Sequence, residues 1–126
     1  MKIRSLTNEQ REKFKSIASS YLTFYQDMNP NLSNYSHNMY SRALAYIAVE
    51  NNLLDFQPKD LAVELTKDIL TTSDFVKIVG HDSGSNQNIR LSAFRNLVSP
   101  FKNDLKSEIS SVSYETLLKL LSRKGT

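Results

Sequence analysis

The stretch TNEQREKFKSIASSYLTFYQDMNPN, residues 7–31, carries the start, body and stop of one helix. Thr7-Asn8-Glu9-Gln10 has the form of a capping box, in which the Thr7 hydroxyl accepts the Gln10 amide and the Gln10 side chain answers the cap amide. Phe14, Ile17, Ala18, Tyr21, Leu22 and Tyr25 then recur at helical spacing and make one apolar stripe. Asn29-Pro30-Asn31 closes the element, because proline's ring disfavours helical backbone at the residue before it.

The same logic extends along the chain. A second helix is predicted from about Asn34 to Asn51, with Met39, Ala43, Leu44 and Ile47 as its stripe and Tyr40 and Tyr46 beside it. The short connection Leu53-Leu54-Asp55-Phe56 is apolar enough to pack inward. Pro58 suits the first position of a third helix, where its missing amide costs nothing, and Leu61, Leu65, Ile69 and Leu70 continue it. Residues 71–80 fit either a short helix or an extended piece; a lone strand has no partner, which favours helix. His81 to Asn88 reads as a polar loop. A helix bearing Ile89, Ala93, Phe94, Leu97 and Val98 follows, broken or kinked at Pro100. Phe101, Leu105 and Ile109 make a further stripe. Ser113 is placed to cap a last helix through Tyr114, Leu117, Leu118 and Leu121. These elements predict one all-α domain over residues 1–126, a compact orthogonal bundle of about five to six helices.

Composition agrees. Of 126 residues, three are glycine and three proline, fewer than a turn-rich β fold spends. There is no cysteine, so a disulfide framework, a thiolate metal site and a cysteine nucleophile are excluded. The opening Met1-Lys2-Ile3-Arg4-Ser5-Leu6 has no apolar region behind its basic residues, unlike a signal peptide. No apolar run approaches the roughly 20 residues that span a bilayer. The expectation is a cytoplasmic protein that does not enter membranes. The net charge of +3 decides little, but its distribution is uneven. Residues 50–82 carry seven acidic against three basic side chains, while 83–103 carry Arg90, Arg95 and Lys102 and no acid. Basic stretches around an acidic middle give a two-sided molecule if they share a face.

Three segments resemble the core-binding, SAM-like helical domain of tyrosine recombinases (phage integrases). Ser33, Ser36, Tyr40, Leu44 and Ile47 follow the order of that family's second helix. Phe56-Gln57-Pro58-Lys59-Asp60-Leu61 is similar to the entry of its third. Leu91-Ser92-Ala93-Phe94-Arg95-Asn96-Leu97-Val98 is similar to its last. The resemblance covers about residues 8–101. Residues 71–82 are longer than the family pattern, Pro100 interrupts the fourth helix, and the chain has no room for the family's catalytic domain. The resemblance implies a non-catalytic domain of a bacterial or phage mobile element that binds double-stranded DNA through its second and fourth helices.

Those two helices carry His37, Asn38, Arg42, Asn86, Gln87, Asn88, Arg90 and Arg95, with Lys102 just beyond. Arg forks onto guanine and Asn or Gln onto adenine, so the residue types suit a duplex. The candidate DNA contacts are therefore Arg42, Asn86, Asn88, Arg90, Arg95 and Lys102, provided the guanidinium groups project from one side. A solvated helix face explains the same residues more blandly. Lys2, Arg4, Arg11, Lys13 and Lys15 read as a phosphate-gripping arm or, more simply, as a solubilising helix start.

No catalytic constellation, cofactor motif or metal-ligand spacing is evident, with His37 and His81 lacking a second ligand at helical spacing. Ser83-Gly84-Ser85 lacks the glycines and lysine of a phosphate loop. The alternative function is a protein-interaction module or small regulator of a larger enzyme, using the acidic 50–82 segment around Glu64 and Asp68 or the tyrosines at 21, 25, 35 and 40. Those aromatics also suit a stacking platform for single strands, or simply a core with hydroxyls at its rim. Leu117, Leu118, Leu120 and Leu121 exceed one narrow stripe and suggest pairing between copies.

Overall fold

The computed structural model describes residues 7–53, 55, 57–80, 84–109 and 114–119. Six helices follow in order: α1 (Asn8–Met28), α2 (Asn34–Glu50), α3 (Pro58–Thr72), α4 (Val76–Val79), α5 (Ser85–Val98) and α6 (Lys102–Glu108). Residues 114–119 are helical as well, and no strand occurs among the described residues. The all-α expectation holds. None of these helices is long and apolar enough to cross a membrane.

Local chemistry explains most of the boundaries. Both halves of the Thr7–Gln10 capping box form, at 3.1 Å and 2.9 Å. Ser33 caps α2 by accepting the Ser36 amide. Pro58 occupies the first turn of α3, as its geometry favours. Residues 71–80 resolve into the end of α3, a turn through Ser73 in left-handed backbone, and the single-turn α4. Pro100 lies in a 3-10 turn, Ser99–Phe101, that separates α5 from α6. One boundary is a correction: α5 begins at Ser85, so Ser85 to Asn88 are helical rather than loop. The predicted loop residues 81–83, the inward-packing Leu54 and Phe56, the Ser113 cap, Leu120, Leu121, Lys2 and Arg4 lie outside the described residues.

α2 is the central element. It packs on α1 along its length and on α5 and α4 by its other sides. Every residue from Ala43 to Val49 is buried, so this stretch of the helix has no solvent face. Phe14 and Tyr46 meet with ring centroids 4.6 Å apart across α1 and α2. Tyr25, fully buried, donates its hydroxyl to the Ala93 carbonyl of α5 at 2.6 Å. The tyrosine hydroxyl read as a rim group is here an internal tie. Phe24 stacks on Phe101 at 5.6 Å, closing α1 over the 3-10 turn. One core cluster runs from Phe14 to Leu117.

Candidate nucleic-acid interface

α5 is the element with the most distinctive chemistry. Its 14 residues, SNQNIRLSAFRNLV, include no carboxylate. Leu91, Ala93, Phe94, Leu97 and Val98 bury one side of it. At 3.6 residues per turn, Asn88 and Arg95 lie within about 20° of each other on the opposite side, with Ser92 between them. Arg95 donates from Nη2 to the Ser92 hydroxyl at 3.0 Å. Among the described residues no carboxylate pairs with Arg95. α5 packs on α2, α3 and α4 through its buried side, which leaves Asn88 exposed and Ser92 and Arg95 half-buried on the other side.

Arg90 overturns part of the sequence-based site. It lies about 140° from Arg95 around the helix and is 1% exposed. Its guanidinium forks onto Glu50 at the end of α2, Nη1 to Oε1 at 2.7 Å and Nη2 to Oε2 at 3.0 Å. Nη1 also donates to the Ile78 carbonyl of α4 at 3.0 Å. A buried guanidinium is tolerable only when its charge and donors are matched, and here an acid 40 positions earlier matches them. Arg90 is thus a tie between α2, α4 and α5, not a surface contact. Gly80 fits against the pair: a Cβ there would sit 3.1 Å from Glu50 Oε1 and 3.2 Å from Arg90 Nη1. A shallow open depression bordered by Glu50, Asn51, Val76, Lys77 and Gly80 lies over it.

The other proposed contacts are scattered. Arg42 is exposed on α2, its guanidinium 5.6 Å from the centre of the Phe14 ring of α1. Lys102 is exposed at the start of α6. Asn86 is half-buried and lies on the side of α5 opposite Arg95. Of the six candidates, the structure brings Asn88 and Arg95 onto one row and withdraws Arg90.

His37 is also withdrawn. It is buried, and its Nε2 lies 2.8 Å from the Asn29 carbonyl. A carbonyl accepts only, so Nε2 carries the hydrogen there. Nδ1 is buried without a hydrogen-bond partner among the described residues. Nothing local to His37 signals this contact, because it depends on how the α1–α2 turn closes.

The alternative surfaces are placed as follows. Asp68 is largely buried in a 3.2 Å pair with Lys77, which neutralises one acid of the 50–82 segment from within, whereas Lys59 of that segment meets Asp104 of α6 at 3.5 Å. Glu64 remains exposed. Tyr35 is 72% and Met28 52% exposed, on either side of the α1–α2 turn. Leu117 packs into the core and Leu118 faces outward. No protein-family model matches the chain, and neither curated proteins nor solved structures give a match.

Proposed function

We propose that this chain is a non-catalytic, cytoplasmic DNA-binding domain that meets the duplex with the outward side of α5, assisted by Arg42 and Lys102. One observation carries it: α5 has no acid, and its solvent side offers Asn88, Ser92 and a guanidinium that no described carboxylate neutralises. A polyanion is repelled by carboxylates and held by donors, so such a face suits phosphates and base edges. The ordered motifs that resemble a recombinase core-binding domain support the same assignment, with Arg90 removed from it. Fluorescence-anisotropy titration against random duplex DNA at low and moderate salt tests it. Binding should be evident at low salt, weaken with added salt, and weaken further in Arg42→Ala/Lys102→Ala. Absence of duplex binding at both salt concentrations refutes the proposal.

The exposed Met28 and Tyr35 favour a second reading, a protein partner at the α1–α2 turn, since aromatic and methionine side chains are enriched in interface cores. Under it, Met28→Ser/Tyr35→Ser abolishes a partner's binding and leaves the duplex titration unchanged. Loss of duplex binding in that variant would instead place the two ligands on one surface.

A further inference from the structure

Resting on the DNA assignment above, we propose that α5 reads base edges, with Asn88 recognising adenine and Arg95 recognising guanine about three base pairs away. Cation count argues first. A domain that held DNA through phosphates alone would crowd lysine and arginine onto the face, since each neutralised phosphate releases counterions. The outward row of α5 has a single cation, Arg95, among Ser85, Asn88, Ser92 and Asn96. Groups of that kind contribute direction rather than charge.

Geometry argues second. Asn88 and Arg95 are seven residues apart, two helical turns, which is about 10.5 Å along the axis. Base pairs rise about 3.4 Å each, so the two side chains span about three steps of a duplex. The Asn88 carboxamide is exposed and makes no side-chain hydrogen bond with the described residues. Its donor and acceptor therefore match the adenine N6 and N7 pair. Arg95 spends one Nη2 donor on Ser92 and keeps the rest of its five. That contact orients the planar fork before the ligand arrives, and a fork matches guanine O6 and N7. Asn96, by contrast, donates to the Ser92 carbonyl at 2.8 Å and has spent its amide on its own helix.

Selection from a pool of randomised duplexes, run in parallel on the wild type, Asn88→Ala, Arg95→Ala and Arg95→Lys, tests the assignment. Each variant's fold is checked first by circular dichroism and thermal melting, because Arg95 is half-buried while Asn88 is exposed. The wild type should enrich sites with adenine and guanine about three base pairs apart. Asn88→Ala should lose the adenine preference alone, and Arg95→Ala the guanine preference alone, each with affinity for the selected site lowered about tenfold. Arg95→Lys keeps the charge but not the fork, so it should behave as Arg95→Ala. Recovery of affinity by Arg95→Lys would make Arg95 a phosphate contact and overturn the inference. Wild-type binding without any enriched site would overturn it while leaving the DNA assignment standing. No binding of the pool would remove both.

Discussion

Arg90 shows how one residue changes meaning between sequence and structure. In the chain it stands in an acid-free basic stretch and invites a surface role; in the fold it is enclosed by Glu50 and the Ile78 carbonyl. Removing one member of a buried pair strands the other, at about 3–5 kcal/mol. Glu50 retains 39% side-chain exposure, so water partly rescues its carboxylate. Arg90→Ala should therefore cost about 3 kcal/mol, read as a lowered urea midpoint. Arg90→Met/Glu50→Gln should recover part of that loss, because no charge is then left unmatched. A second residue-scale expectation concerns the buried phenols. Burial raises the Tyr21 hydroxyl from 10.0 to about 12. Burial, reinforced by the neighbouring Tyr21 and Tyr40, holds Tyr25 well above 10.0. Folding thus favours the neutral phenols, so their stabilisation is intact below pH 10 and is lost progressively as pH rises from 10 towards 12. Tyr21→Phe/Tyr25→Phe should flatten the fall in melting temperature above pH 10. The same variant should lose about 1 kcal/mol at neutral pH with the Tyr25 hydrogen bond to Ala93.

Among the helices, what could be read in advance was whatever depends on near neighbours. The Thr7 box, Pro58 and Pro100 act within a few residues, and each stands where its local chemistry places it. Ser85 to Asn88 misled because Ser and Asn side chains favour turns by bonding nearby backbone, whereas α5 recruits them through its packing on α2 and α4. The burial of Arg90 and His37 was illegible for a related reason. Glu50 and the Asn29 carbonyl become their partners only when separate helices meet. Asn88 and Arg95 were legible as candidates, but their common row became visible only once α5 was known to start at Ser85. The glycines flanking the region test the packing. Gly80 and Gly84 share φ of 59°, yet a Cβ at Gly84 meets nothing within 4 Å while one at Gly80 meets the Glu50–Arg90 pair. Gly84→Ala should cost about 1–3 kcal/mol from backbone strain alone, because φ 59° with ψ −129° is a region that L residues rarely enter. Gly80→Ala should cost at least about 1 kcal/mol more, from crowding. Thermal melts of the two variants compare them directly.

For the molecule as a whole, charge is divided by element. α3 carries Asp60, Glu64 and Asp68, while α5 carries no acid and turns its polar side away from α3. If the duplex meets only Arg42, Arg95 and Lys102, the log–log dependence of affinity on salt should be shallow, no steeper than about −3. Arg42→Ala and Lys102→Ala should each reduce that slope by about 0.9 if they meet phosphates. A steep slope would require phosphate contacts beyond Arg42, Arg95 and Lys102. The enclosure of α2 has its own consequence. With Ala43 to Val49 sealed on every side, no local fluctuation can bring water to the amides of Leu44 to Ile47. Their deuterium uptake must wait for the whole domain to open, and four backbone protons in the middle of the chain become a gauge of its global free energy of unfolding.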